Sequence, residues 1–131
     1  METAQEFIQR YLSEKASLSS LLYKTGAPFY QKYFTSDYLK YSADFRAKRE
    51  ANPEAFVSIE VGEQTARVIT SEQFDSRQIR SRYNLCVSDG QWKMSNKEAE
   101  CFACHGSGHR ADKQCHVCEG KGWKNYAQAA T

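Results

Sequence analysis

Long apolar runs are missing from this sequence: nowhere do hydrophobic residues approach the roughly 18 consecutive positions that a membrane-spanning helix requires. An excess of one charge is missing too. Lys and Arg number 18 against 16 Asp and Glu in the 131 residues, a balance too even to mark a nucleic-acid binder unless charge is gathered locally. The opening Met1-Glu2-Thr3-Ala4-Gln5-Glu6-Phe7 lacks the basic and then apolar pattern of an export signal, so the cytoplasm is the expected location. Histidine is confined to His105, His109 and His116, which leaves no imidazole before them for acid–base chemistry. Proline occurs twice, at Pro28 and Pro53. Apolar residues, in contrast, make up 40% of the chain and aromatics 13%, enough to expect a packed globule with one sizeable core.

Thr3-x-x-Glu6 has the spacing of a capping box, and Ala4, Phe7, Ile8, Tyr11 and Leu12 follow at helical intervals, predicting a helix with one apolar face. Leu18, Leu21 and Leu22 extend into a short second segment, which Gly26-Ala27-Pro28 is expected to end. An aromatic stretch follows, with Phe29, Tyr30, Tyr33, Phe34, Tyr38, Tyr41 and Phe45. Ser36 or Asp37 can cap its second half, where Tyr38, Tyr41, Ser42, Phe45 and Arg49 keep helical spacing. These aromatics read as core, and the alternative is that some of their hydroxyls line a pocket.

Beyond Asn52-Pro53 the period changes to two. Val57, Ile59 and Val61 predict one strand, turned by Gly62-Glu63-Gln64 into Ala66, Val68 and Thr70. Ile79, Ser81, Tyr83, Leu85 and Val87 predict another, and Asp89-Gly90 supplies a tight turn into Trp92 and Met94. Helices followed by antiparallel strands give an α+β layout with helices on one sheet face. If Val57, Val68, Tyr83, Leu85, Trp92 and Met94 face the helices, then Arg67, Arg80, Arg82, Asn84, Cys86 and Lys93 form a basic opposite face. That face is either a solvated surface or a docking site for a partner or a second copy.

This element order, together with Glu60-Val61-Gly62, Ala66-Arg67-Val68-Ile69, Arg82-Tyr83-Asn84-Leu85 and Asp89-Gly90-Gln91-Trp92-Lys93-Met94, resembles the nuclear-transport-factor-2-like superfamily over about residues 3–96. The resemblance implies a cone in which a curved antiparallel sheet wraps N-terminal helices. Members include small-molecule enzymes, transport factors, secretion components and immunity proteins, often paired through the sheet, so the fold leaves function open.

Cys101-Phe102-Ala103-Cys104-His105-Gly106-Ser107-Gly108 and Cys115-His116-Val117-Cys118-Glu119-Gly120-Lys121-Gly122 are two copies of Cys-x-x-Cys-x-Gly-x-Gly. Each pair of thiolates can reach one ion from a tight turn, and two pairs supply the four tetrahedral ligands of a structural zinc. Gly106 and Gly120 are expected at positive φ, where the chain folds back and amides approach sulfur. Five cysteines, an odd count, in paired spacing favour thiolates in a reducing compartment over disulfides. A thioredoxin-like redox motif is the other, weaker alternative, since such cysteines open a helix in a βαβ context. His105 and His116 directly follow or separate cysteines that already complete the set, and Cys86 reads as a small half-buried hydrophobe. Over residues 101–122 the repeat is similar to the cysteine-rich module of DnaJ-type chaperones and to the two-repeat version in anti-TRAP, which implies a structural module that helps hold a partner. Two repeats stand here in place of the chaperones' four.

The expected organisation is therefore a nuclear-transport-factor-2-like domain over 1–97 and a four-cysteine module over 98–131. The expected metal ligands are Cys101, Cys104, Cys115 and Cys118 on one structural zinc ion, with no catalytic residues assigned. The expected role is binding of a partner protein, as adaptor, secretion accessory or immunity-type protein, through Phe102, Trp123, Arg67, Arg80 and Arg82, with a homodimer through the sheet as a further arrangement. One alternative is an isomerase- or dehydratase-type enzyme using Asp37, Asp44, Glu60 or a Tyr as base. Another is a nucleic-acid binder acting through the zinc module, which lacks interleaved aromatics for base stacking.

Overall fold

Thr3 and Glu6 exchange the two bonds of a capping box: the Glu6 amide donates to Thr3 Oγ1 at 3.1 Å and the Thr3 amide to Glu6 Oε1 at 3.0 Å. Helix α1 (Ala4–Ser17) starts there and buries Ala4, Phe7, Ile8, Tyr11 and Lys15 along one face. The structure is a computed structural model describing residues 1–17, 22–39, 53–74, 77–101 and 103–125. Tyr41, Ser42, Asp44, Phe45, Arg49 and Phe102 lie outside the described residues.

Helix α2 (Leu22–Tyr33) runs through Gly26 and Pro28, where the sequence predicts an end. An interior proline costs about 3 kcal/mol through its missing N–H bond. Phe29, Tyr30 and Tyr33 are all buried, and each such aromatic gains roughly 2 to 3 kcal/mol on leaving water, so tertiary burial outweighs the break. Pro28 itself faces solvent. Phe34 then bridges to Met94, and the next helical turn is capped by Thr35, whose Oγ1 accepts the Tyr38 amide at 3.3 Å, in place of Ser36 or Asp37.

Strands β1 (Glu54–Val61), β2 (Thr65–Phe74), β3 (Arg77–Ser88) and β4 (Gln91–Glu100) form an antiparallel meander. Three short strands follow, β5 (His109–Arg110), β6 (Lys113–Gln114) and β7 (Trp123–Asn125). Among the described residues the sheet order is β1-β2-β3-β4-β7, with β5 and β6 forming a separate two-stranded ribbon. Asp89 and Gly90 turn β3 into β4 at φ 52° and 76°, as a tight Asp-Gly hairpin requires. This is a mixed α+β fold with helices on one face of an antiparallel sheet, and no helix of the described residues is long and apolar enough to cross a membrane.

Val68, Tyr83, Leu85, Trp92 and Met94 face the helices as expected. Val57 does not: it is 51% exposed, whereas Ile59 and Val61 pair with Val68 and Ala66 on the inner face, Val61 being 61% exposed at the end of its strand. The register of β1 on β2 slips between Phe56 and Ser58, so Val57 is an extra residue. One extra residue inverts the side-chain alternation, and Glu54 and Phe56 turn inward on the far side of the bulge. A second slip lies opposite Asn84/Leu85, where Ser95 of β4 is the extra residue. Beyond it Lys97 and Ala99 face inward.

The core under these helices is largely aromatic. The Tyr11 ring lies 5.1 to 6.1 Å from those of Tyr33, Phe29, Tyr83 and Phe34. At one end of that cluster the two bulges deliver a buried charge network. Glu54 and Glu72 stand directly opposite each other on β1 and β2, a like-charge juxtaposition that a sheet tolerates only with counter-ions. Lys15 Nζ bridges them, 2.5 Å from Glu54 Oε1 and 3.4 Å from Glu72 Oε2, and Lys97 Nζ lies 2.9 Å from Glu72 Oε1. Thr70 and Tyr83 donate to Glu54 Oε2 at 2.5 and 2.6 Å, and Ser81 donates to Glu72 Oε1 at 3.3 Å. All four charged side chains are at most 5% exposed.

Burial works against ionisation of Glu54, but Lys15 and Lys97 outweigh it and bring its pKa down to about 2. A folded-state value below the unfolded one contributes stability that is complete above about pH 4.5 and is lost as pH falls toward about 2. Lys15→Met leaves buried carboxylate uncompensated and should cost about 3 to 5 kcal/mol in urea unfolding. Adding Glu54→Gln should recover most of that loss, because Lys97 and Glu72 still balance, and should flatten the acid limb of stability against pH. A double variant as unstable as Lys15→Met would show that packing of the lysine stem, not charge balance, is what matters.

Candidate metal centre

Cys101, Cys104, Cys115 and Cys118 are buried together, their sulfurs all within 4.8 Å of one another, and they can hold one metal ion. Cys101 and Cys115 sulfurs are 3.9 Å apart and those of Cys104 and Cys118 are 3.6 Å apart. Neither pair is bonded. Four sulfurs at about 2.3 Å from a central zinc would stand about 3.8 Å from one another at the corners of a tetrahedron, so the donor set has the chemistry and size for that ion.

Each cysteine pair sits in a turn that supplies hydrogen bonds to sulfur. The Gly108 amide donates to Cys104 Sγ at 3.2 Å, and the Gly122 amide donates to Cys118 Sγ at 3.1 Å. The halves also cross-bond, Cys101 N to Gly122 O and Cys115 N to Gly108 O, both at 2.8 Å. Gly106 and Gly120 do adopt positive φ, 86° and 80°. The second glycine of each repeat is the more tightly constrained. A Cβ at Gly108 would collide with the Gly120 carbonyl, and one at Gly122 with the Gly106 carbonyl.

The thiols hold their protons unequally. Burial pushes Cys101 up to about 11. At Cys104 burial is outweighed by the Gly108 amide and the neighbouring Cys118, which bring it down to about 6. The Cys118 amide is the main cause lowering Cys115. Amide donors aimed at sulfur favour the thiolate, the form that binds metal.

The site is seated on the sheet from both ends. Strand β4 continues to Glu100, directly before Cys101, and β7, directly after Gly122, pairs with its edge through Glu98↔Asn125, Ala99↔Lys124 and Glu100↔Trp123. The half-buried Trp123 ring lies under the guanidinium groups of Arg82 and Arg80, 4.6 and 5.6 Å from their carbons. Arg80 also bonds Glu100 Oε2 at 3.1 Å and the His105 carbonyl at 3.1 Å, while Arg82 bonds Glu98 at 2.9 Å. Arg80, Arg82 and Trp123 are thus brought together, on the sheet face away from the helices. Arg67 lies apart from them, exposed, with Nε 3.4 Å from Asn84 Oδ1. Cys86 is half-buried on that same face.

His105, His109 and His116 are exposed and outside the sulfur cluster. Asp37 and Glu60 are exposed as well. Among the described residues the carboxylates of the buried charge network are Glu54 and Glu72, which sequence reasoning passed over. One signal was available: Glu72 continues the Ala66, Val68, Thr70 alternation, as Lys15 continues the Tyr11 face by one helical turn.

Gly108→Ala and Gly122→Ala should each weaken metal binding by about tenfold or more, as loss of groups that orient ligands does. Gly90→Ala is the control, since its φ is 76° but nothing lies within 4 Å of the added carbon. It should cost only about 1 to 2 kcal/mol of folding stability and leave metal affinity unchanged. Chelator competition distinguishes these outcomes, and equal affinity in all three variants would remove the glycine contacts from the account.

Compared with known proteins, the chain matches no protein-family model, no curated protein and no solved structure, so the functional reading rests on this geometry.

Proposed function

We propose that this is a zinc-binding protein-interaction protein. Cys101, Cys104, Cys115 and Cys118 hold one structural zinc ion, and the ion fixes a small C-terminal module that, with the adjoining outer sheet face, binds a partner protein. The observation that carries this reading is the sulfur spacing, 3.9 and 3.6 Å, which brackets the tetrahedral edge for zinc. A set of four thiolates leaves no open coordination position for a substrate, which favours a structural ion over a catalytic one.

The N-terminal part we read as a nuclear-transport-factor-2-like cone, a reading supported by helices that precede and cover one face of an antiparallel meander. Free thiols throughout suit a reducing compartment. An adaptor, a secretion accessory and an immunity-type protein would all use such a surface, and pairing of two copies through the sheet is compatible with it.

Protein purified under reducing conditions should contain one zinc per chain, and Cys104→Ser or Cys118→Ser should contain less. Iron in its place, or no metal, would defeat the assignment. Affinity capture from native cells, followed by identification and reciprocal capture, should recover a partner with the wild-type chain and lose it with Cys104→Ser. A partner retained equally by both would show that the module does not form the binding surface.

A further inference from the structure

The two cysteine pairs are separated by 14 residues, and the same displacement relates the strands around them. Ala99-Glu100 at the end of β4 corresponds to Lys113-Gln114 of β6, and Trp123-Lys124 of β7 corresponds to His109-Arg110 of β5. The pairing corresponds too: Glu100↔Trp123 and Ala99↔Lys124 in one ribbon, Gln114↔His109 and Lys113↔Arg110 in the other. So do the backbone turns, with His105 and Glu119 at φ 54° and 57° and Gly108 and Gly122 at 81° and 79°. The module is a pseudo-twofold pair of ribbons about one metal site.

The first ribbon has a third strand beside it. Strand β3 pairs with the other edge of β4 and lays two arginines on the ribbon: Arg80 on Glu100, the His105 carbonyl and Trp123, and Arg82 on Glu98 and Trp123. The second ribbon has no third strand among the described residues, and His109, Arg110, Lys113 and Gln114 are all exposed. Its corresponding groups repeat the chemistry. Gln114 stands for Glu100, the Glu119 carbonyl for the His105 carbonyl, His109 for Trp123, and Asp112, at the turn, for Glu98. Gly106 lies beneath Arg80, Glu100 and Trp123, and Gly120 lies beneath Gln114. The acceptors and the ring belong to the Gln114–His109 side of the ribbon. The cations Arg110 and Lys113 are cross-strand partners and so share the opposite side.

We infer that the β6 edge and the surface of His109, Asp112, Gln114 and Glu119 bind an extended, arginine-bearing segment of a partner protein, in the manner in which β3 seats Arg80 and Arg82 on the first ribbon. The assignment rests on the protein-binding reading above and names the part of the module that does the binding. Backbone pairing along an open strand edge supplies affinity, and the side-chain acceptors select the guanidinium. Charge favours this occupant over an acidic one: by the correspondence Asp112 takes the place of Glu98 and the Glu119 carbonyl that of the His105 carbonyl, Asp112 and Glu119 are exposed, and the basic pair lies on the opposite side.

The test uses the full zinc-loaded chain, isotope-labelled for NMR, titrated with the blocked peptide Gln-Ile-Arg-Ser-Arg-Tyr, which copies Gln78–Tyr83. The expected result is saturable shifts at His109, Asp112, Gln114 and Glu119, absent when both peptide arginines are alanine. Gln114→Lys, at an exposed position, should weaken the peptide by about fivefold, the scale of an exposed charge contact, with zinc content unchanged. No shift at millimolar peptide, equal shifts with the arginine-free peptide, or shifts confined to Arg110 and Lys113 would overturn the inference. So would the same residues responding instead to an oligoglutamate or an oligonucleotide. A partner captured in a zinc-dependent way but retained by Gln114→Lys would overturn this surface and leave the protein-binding reading standing, whereas absence of any zinc-dependent partner would overturn that reading itself.

Discussion

The helix-on-sheet arrangement depends on one electrostatic constraint: Glu54 and Glu72 face each other across β1 and β2 with water excluded from both. Two bare carboxylates so placed would force the sheet open or take up protons. Lys15 enters from α1 and Lys97 from β4, so charge balances, and every carboxylate oxygen receives a donor. A buried network of this kind is weak evidence for net stability, because desolvation offsets much of the Coulombic gain. It is much stronger as a device for register. Sliding β1 or β4 by one residue would send Glu54 or Lys97 to the outer face and leave its partner buried alone, and rotating α1 would withdraw Lys15. The network thus specifies how α1 lies on four strands that aromatic packing would hold in more than one way.

The same constraint sets the attitude of the metal module. Ser95 is the extra residue that turns Lys97 inward, and its hydroxyl is bonded to the Asn84 carbonyl at 3.1 Å across the bulge. Inverting the alternation at that point also turns Glu98 and Glu100 outward, where they meet Arg82 and Arg80, and Cys101 follows at once. Without the bulge these two glutamates would point at the helices and the arginines would have no carboxylate partners. One inserted residue therefore connects the buried charge network to the outer-face arginine pairs and to the first cysteine of the cluster.

Legibility in the sequence followed the range of the interactions. The capping box, the Asp89-Gly90 hairpin and the duplicated cysteine turns are each written in residues a few positions apart, and the structure contains them all. The Pro28 break was overridden by burial of Phe29, Tyr30 and Tyr33, a tertiary effect with no local signature. Val57 reads as inward because alternation through β1 looks unbroken; a bulge changes parity without changing composition, so the period hides it. Buried lysines and glutamates are misread for a related reason: singly each belongs in water, and only the fold shows that four of them neutralise one another. The pairing of β7 with β4 was likewise unreadable, since three residues of Trp-Lys-Asn carry no strand pattern.

A module whose buried interior, among the described residues, consists of four cysteines with Ala103 and Val117 packed beside them gains little from apolar burial and must draw its order from elsewhere. The four-cysteine cluster, which can hold one metal ion, is one source. The other is the domain sheet, which grips the first ribbon through β3, the two arginines and Trp123. These two sources do not act equally on the two halves: the first ribbon is held by both, whereas the second is tied to its own turns, through the Cys115–Gly108 and His109–Ser107 bonds and the packing of Gln114 on Gly120, and to the shared sulfur cluster. The second ribbon's turn residues Ala111 and Asp112 are both at positive φ, 49° and 66°, conformations that cost a non-glycine residue about 1 to 2 kcal/mol apiece. A ribbon of two residues a strand cannot offset that strain by its own pairing, so its shape depends on the four-cysteine cluster at its base, which can hold one metal ion.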